Sequence, residues 1–366
     1  MGDILHALPA VTALRLAHPT WQIGWVVDSR WQALLSAGVG RQVSGVSEQG
    51  SGIRDQGTET SAVRGPTMPV RDSAMPVIDR LHFASTRAWK RRPLTVKTAA
   101  EINALRRELR AANYDAVVDL QGAIRSAAIV RLAGCPRRIG EAKPREWPAQ
   151  WLFTERVRTH DAHVIEQDVE LASAVAGDAL EPAEPLLPVD PEAERWCDAW
   201  LAESFAGEPR PIALIAPGAG WGAKRWPPER YAVVAEGLKQ RGFHVLANAG
   251  PGEEHLAAPI TAGGAAVPLT TTLPQLIALT RRIALCIAGD TGPLHLACAL
   301  GRPVVGIYGP TDPSRNGPFG TRAKVLRSPT SRRDHSRRAA PDPGLLTIAP
   351  EDVLGAADEL LAEVRA

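Results

Sequence analysis

The sequence predicts an α/β protein built from two doubly wound parallel sheets. Three observations carry that expectation. Short apolar runs that read as strands buried on both faces alternate with amphipathic helical runs, as in parallel sheets covered by helices. The 366 residues suffice for two ordinary domains, each with a core of its own. A Pro-rich acidic segment at 181 to 194, EPAEPLLPVDPEAE, interrupts the alternation near the middle and reads as the hinge between the two units.

Each element has its own signal. Residues 4 to 15 form an apolar helical run directly after Gly2-Asp3, with no strand ahead of it, and WQIGWVVD (21 to 28) is a buried strand. From 40 to 76 the chain becomes rich in Gly, Ser, Pro and alternating charge; it cannot offset its ordering entropy by burial and is expected to be a disordered insertion. IDRLHF is then a short strand, EINALRRELRAANY a helix, DAVVDLQG a strand ending in a turn, AIRSAAIVRLAG a helix stopped by Gly134, and RRIG a strand. The second half is cleaner: PIALIAPG (strand), PPERYAVVAEGLKQRG (helix), FHVLANAG (strand), EEHLAAPITAG and LPQLIALTRRI (helices), ALCIAGD (strand), PLHLACALG (helix), PVVGIYG (strand). PEDVLGAADELLAEVRA closes the chain as a helix with Pro at its start and acids in its first turn. The expected division is 1–185, 186–345 and a terminal helix at 346–366 packing back on the first unit.

Composition narrows the function. A hydrophobic content of 45% with 22% charged residues describes a globular protein, and the apolar runs are too short to span a membrane. The opening residues lack a secretory pattern, and Cys135, Cys197, Cys286 and Cys298 lie far apart, so free thiols in a reducing cytoplasm are expected. A net charge of +2 argues against a general nucleic-acid binder. Residues 80 to 158, however, hold 17 Lys/Arg against 7 Asp/Glu, so one face of the first unit should attract an anionic substrate or an anionic membrane surface.

Two loops carry the chemistry. In AGDTGPLHLACALG a strand ends at Asp290 and a helix begins at Thr291-Gly292, which aims free backbone N–H groups and a positive helix terminus into the cleft; His295 lies one turn on. The loop GPTDP borders the same cleft. In APGAGWGAKRWPPERY a Gly-rich loop presents Lys224 before a Pro-started helix, a second place for phosphate. Glu253 and Glu254 follow another strand end, where they can accept from ribose hydroxyls or serve only a helix terminus. The bland alternative for Asp290 and His295 is a helix cap and a packed helical histidine.

GDTGPLHLACALGRPVVGIYGPTDP, GAKRWPPERY, NYDAVVDLQGAIRSAAIVRLAG and MGDILHALPAV, in family order, resemble the lipopolysaccharide heptosyltransferases of glycosyltransferase family 9, most nearly the type I members, which add the first heptose to Kdo of the inner core. The resemblance spans nearly the whole chain apart from the insertion. It implies a GT-B fold, ADP-L-glycero-D-manno-heptose as donor, Kdo-lipid A as acceptor, inversion at the anomeric carbon, no metal and no cofactor. By it, Asp3 matches the proposed general base; Lys224, Asp290, Thr291, Gly292 and His295 match the donor site. TRAWKRRP, with Arg87, Lys90, Arg91 and Arg92, matches the basic acceptor segment, and His163 in HVIEQD lines the cleft or is structural. The family also places an apolar strand before its Met-Gly-Asp, so Met1 is expected to be internal to a longer chain and the first sheet to lack a strand. A cytoplasmic protein in peripheral contact with the inner membrane is implied.

Three other readings stay in view. A second-heptose or other family-9 transferase differs only in acceptor. An inactive nucleotide-sugar-binding homologue would keep the donor site without transfer. A Rossmann oxidoreductase is disfavoured because nothing matches its glycine fingerprint and ribose-binding acid.

Overall fold

The computed structural model describes residues 1–36, 77–206, 208–250, 252–333 and 338–365. The segment at 40 to 76 expected to be disordered lies outside the described residues. The first half runs α1 (Gly2–Ala17), β1 (Gly24–Val27), β2 (Arg80–Phe83), α2 (Thr86–Arg91), α3 (Val96–Ala111), β3 (Ala116–Asp119), α4 (Ile124–Leu132), β4 (Arg137–Glu141), β5 (Glu155–Val157) and α5 (Val164–Ala176). The second runs α6 (Pro191–Ser204), β6 (Ile212–Ala216), α7 (Pro228–Gln240), β7 (His244–Asn248), α8 (Glu254–Thr261), β8 (Val267–Leu269), α9 (Leu273–Thr280), β9 (Leu285–Gly289), α10 (Gly292–Ala299), β10 (Val304–Tyr308), α11 (Pro313–Asn316), β11 (Ala323–Arg327) and α12 (Pro350–Arg365).

The second half is a six-stranded parallel sheet of order β11-β10-β9-β6-β7-β8. From β6 the chain winds outward to β7 and β8, then returns to β9 on the other side of β6. That reversal makes the carboxyl ends of β6 and β9 a topological switch point, where the flanking helices diverge and leave a crevice. β9 and β10 are buried along their whole length, which explains their unbroken apolar runs.

The first half departs from a single sheet. β1 and β2 form one parallel pair, and β3, β4 and β5 form a separate parallel sheet. Among the described residues no strand joins β1 to β3. One apolar cluster nevertheless bridges them: Val26 and Val117, from the two sheets, pack with Tyr114 against Leu105 and Leu109 of α3.

Caps explain several helix boundaries. Asp190 accepts from the N–H groups of Glu192 and Ala193 at the start of α6, Thr272 and Gln275 cap α9 reciprocally, and Gly177 ends α5 with a φ of 83°. The segment expected as hinge therefore ends where α6 begins. α6 is tied to the second sheet's side, because Glu194 takes Arg281 of the α9 terminus at 2.6 Å.

One expectation is corrected. α12 packs mainly against α7, β10 and β11, and its Val353, Ala356, Ala357 and Leu360 join the core made by Trp226, Tyr231, Val234 and Leu238. Its apolar stripe seals the open face of the second sheet, so the first unit is not its partner. α1 instead bridges the halves: it packs on α5, while its Leu5, Leu8 and Val11 share a core cluster with Leu294, Leu296 and Ala297 of α10. All four cysteines are buried and free.

Candidate functional site

β6 and β9 are hydrogen-bonded neighbours with Ala216 opposite Ala288, so the loops that follow them leave the sheet side by side. The β6 loop ends in a single 3-10 turn, Gly222–Lys224, and the β9 loop opens with Asp290. This adjacency brings Lys224 to Asp290 across 66 positions of sequence. The ammonium pairs with one carboxylate oxygen, and it also lies 4.3 Å from the centre of the Trp221 ring. The other carboxylate oxygen faces His295 Nε2 at 2.9 Å. Burial alone would raise the Asp290 pKa, yet the hydrogen bond with His295 and the charge of Lys224 outweigh it and hold the carboxyl well below its ordinary range.

His295 is buried, and its second ring nitrogen, Nδ1, lies 3.2 Å from Nε2 of His6 on α1. Both of its ring nitrogens thus face protein groups. It supports Asp290, and neither nitrogen is free to donate into the cleft, the arrangement of the packed-histidine alternative. Above it, Thr291 is the N-cap residue of α10, and its hydroxyl is buried with no hydrogen-bond partner among the described residues; the Thr311 hydroxyl, after β10, is in the same state. The Met1 side chain lies against Gly292, so a side chain there would have to displace it.

Asp3 lies in the first turn of α1, exposed to the cleft, and one of its oxygens accepts from Gln121 Nε2 at 2.8 Å. Gln121 is held by the turn after β3. One Asp119 oxygen accepts from the N–H groups of Gln121 (2.9 Å) and Gly122 (3.3 Å), the other accepts from the Ser126 hydroxyl at 3.0 Å, and Gly122 supplies the required φ of 62°. Sequence reasoning singled out neither Gln121 nor His6. The available signal was positional: both belong to the motifs DAVVDLQG and MGDILH.

Asp168 on α5 is 3% exposed, and its Oδ2 has no hydrogen-bond partner among the described residues. Burial pushes its pKa well above the ordinary 3.8, and the charges of Asp3, Asp119 and Glu141 push the same way while Arg315 opposes. The native state therefore keeps a proton that the unfolded chain releases above pH 3.8. Stability contributed by this group is complete below that value and is lost as pH rises toward the raised native pKa. Asp168→Leu is expected to gain about 1–3 kcal/mol near neutral pH and to flatten the fall of melting temperature with rising pH. Thermal unfolding of both proteins across that range decides it, and an unchanged slope would remove Asp168 as its source.

The acceptor-segment cations occupy α2 and its end. Trp89 anchors this helix by donating to Glu101 of α3 at 2.7 Å, leaving Arg87, Lys90, Arg91 and Arg92 exposed. The hydrogen bond from Arg30 chiefly lowers the Asp28 pKa, and the charge of Arg87 adds to it, so this helix lies near the end of β1. The two glutamates part company. Glu253 reaches over Gly218 and Gly250, 3.9 Å from Arg225, at the crevice edge. Glu254 is exposed and accepts from the N–H of Gly252 at 3.0 Å, serving its own turn. An open depression of about 270 Å³ lies beside them, lined by Ala249, Ala257, Thr261 and Leu269. His163 caps α5: Nδ1 accepts from the N–H of Ile165 at 3.2 Å, so Nε2 carries the proton and donates to Gly317 O at 3.1 Å. It is a strut between the two halves. Among the described residues no cluster of three or more His, Cys, Asp or Glu is arranged to hold a metal ion, and no helix is long and apolar enough to cross a membrane.

Comparison with known proteins places this geometry. The sequence pattern of glycosyltransferase family 9 (heptosyltransferase) matches residues 102–343. Lipopolysaccharide heptosyltransferase 1 of Escherichia coli K12 is 28% identical over 344 residues, covering 90% of this chain and 91% of that protein. Lipopolysaccharide heptosyltransferase 2 of Salmonella typhimurium LT2 is 30% identical over 292 residues, covering 72% and 81%. The fold matches the E. coli heptosyltransferase WaaC solved with ADP at a TM-score of 0.72 and 24% identity, over 98% of this chain and 97% of that one. Two parallel-sheet halves of the GT-B kind are thus the fold of this chain.

Proposed function

The chain belongs to glycosyltransferase family 9, and from that premise we propose that it moves L-glycero-D-manno-heptose from its ADP derivative to Kdo of Kdo-lipid A, with inversion. The observation that carries the donor half is the Lys224–Asp290 pair at the switch point beside the N-terminus of α10. A departing ADP is a concentrated anion. A buried cation held in place, free helix N–H groups and the unpartnered Thr291 and Thr311 hydroxyls are the groups that stabilise such a charge. Glu253 and the depression beside it are suited to the nucleoside.

In the reaction the acceptor hydroxyl oxygen bonds to the anomeric carbon as the bond from that carbon to the diphosphate breaks. The hydroxyl proton passes to Asp3, and ADP leaves toward Lys224 and α10 without a divalent ion. Attack from one face with departure from the other inverts the centre. Support for Asp3 as the base is its place on α1, whose first residues run directly over Gly292 and the His295 ring.

The acceptor is assigned through α2, where four exposed cations suit the carboxylate of Kdo and the phosphates of lipid A. Leu94 (99% exposed) and Val96 (88%) follow α2 and its cations in sequence, and Trp147 (61%) and Trp151 (63%) follow the carboxyl end of β4. An apolar rim with basic neighbours supports peripheral contact with the cytoplasmic face of an anionic membrane. The first-heptose reading is preferred because the match to heptosyltransferase 1 of E. coli K12 covers 90% of the chain, against 70% for heptosyltransferase 2 of the same strain.

One assay tests these assignments together. The protein, the ADP-heptose and Kdo-lipid A are combined with EDTA, the acceptor either carried in acidic phospholipid vesicles or deacylated and free. A mass gain of one heptose is expected on both acceptors, with the vesicle rate falling more steeply as salt is added. Transfer only to an acceptor already carrying one heptose would reassign the step to the second heptose. Donor binding without any transfer would leave an inactive homologue.

A further inference from the structure

Four buried side chains form a series that joins the two halves: His6 to His295 at 3.2 Å, His295 to Asp290 at 2.9 Å, and Asp290 to Lys224. None is more than 11% exposed. His6 is on α1, one turn beyond Asp3; His295 is on α10, whose terminus borders the donor crevice. The series therefore runs from the helix of the proposed base to the cation of the proposed leaving-group site.

Hydrogen-bond chemistry limits how protons can be distributed along it. Asp290 is a carboxylate and only accepts, so His295 Nε2 must carry a proton. Burial holds the His6 pKa well below its ordinary value and keeps the ring neutral. In the His295 tautomer that carries its single proton on Nε2, Nδ1 presents a lone pair, and the 3.2 Å contact is then a bond in which His6 Nε2–H donates.

We infer that His6 is a positioning residue: by donating to His295 Nδ1 it fixes the tautomer that anchors Asp290, and through Asp290 the place of Lys224. Without that donor His295 is free to take the opposite tautomer, which turns a lone pair on the Asp290 carboxylate and loosens the anchor of the ammonium. The same bond keeps α1 in register with α10, so one contact aligns the base with the leaving-group site. The tautomer assignment stands on the two contacts of His295 and on Asp290 being a carboxylate; its catalytic consequence rests on the function proposed above.

The test uses the whole chain with 15N-labelled histidine, in wild type, His6→Phe and His6→Gln. Gln places an amide N–H where Nε2–H stood; Phe keeps a ring without a donor. The ring-nitrogen spectrum of wild type should show His295 protonated on Nε2 alone, His6→Phe should show both tautomers, and His6→Gln should restore one. Turnover should fall about 10- to 100-fold in His6→Phe, with KM for the acceptor unchanged, and lie within about threefold of wild type in His6→Gln. Protonation of His295 on Nδ1 in wild type, as the other tautomer or as imidazolium, overturns the inference. So does equal impairment of the two variants, which would mean packing alone. If the protein transfers no heptose, the spectra still decide the tautomer, so the two failures are separable.

Discussion

Asp3→Asn is expected to reduce heptose transfer by about 10²- to 10⁴-fold, the range of a lost general base, while ADP binds as it does to the wild type. The substitution is nearly silent structurally. The asparagine carbonyl still accepts from Gln121, so the turn built on Asp119 keeps its geometry, and an exposed carboxylate in the first turn of α1 contributes little to the core. What disappears is the ability to take a proton. Product mass gives the transfer rate and calorimetry gives ADP affinity; turnover close to wild type would remove Asp3 from the role, and a parallel loss of ADP binding would move it to the donor site.

Lys224→Met is the second large effect, and it has two parts. Turnover should fall about 10²- to 10³-fold, as when a preorganised group facing a developing anion is deleted. Stability should fall by about 3 kcal/mol, because a buried carboxylate loses its cation and keeps only His295. The pH dependence separates this from general damage. The native Asp290 pKa is depressed, so its contribution to stability is present above the ordinary aspartate value of 3.8 and is lost as pH falls below it. The Met variant should therefore lose less stability on acidification than wild type, although it starts lower. Equal acid sensitivity would mean that Lys224 does not hold Asp290 in solution. Lys224→Arg should fail as a rescue, since a planar guanidinium does not fit a single buried oxygen beside Trp221.

The two variants probe features of different legibility. Asp3 was singled out only by the family resemblance, whereas Lys224 was also marked by its place in a strand-to-helix loop, a local property. The four inner strands of the second sheet, β6, β7, β9 and β10, were equally legible, because an apolar run buried on both faces looks the same wherever it lies in the sheet. β8 and β11 were missed: Val267–Leu269 spans three residues with a proline, and Ala323–Arg327 alternates only weakly at a sheet edge. α12 was read correctly as a helix and docked on the wrong partner, because an amphipathic stripe states that something apolar covers it without naming the cover.

The side-chain partners mark the same boundary. His295 read as a phosphate donor from its place one turn into a helix, yet Asp290 and His6 occupy both of its nitrogens, and His6 is 289 positions away. His163 read from sequence as either a cleft residue or a structural one, and its bond to Gly317, across 154 positions, makes it a strut. Gln121 had no visible purpose until α1 delivered Asp3 to it from 118 positions upstream.

By itself, then, the sequence determined the alternation of buried strands and helices, the glycine-rich loops at their carboxyl ends and the basic segment after β2. These follow from periodicity, turn chemistry and charge, which act over a few residues. Only the tertiary structure decided that β6 lies beside β9, that Lys224 therefore meets Asp290, and that α1 packs on α10 and brings His6 to His295. Such pairings are set by strand order and helix packing over hundreds of positions, and no local pattern encodes which distant group satisfies a buried polar atom.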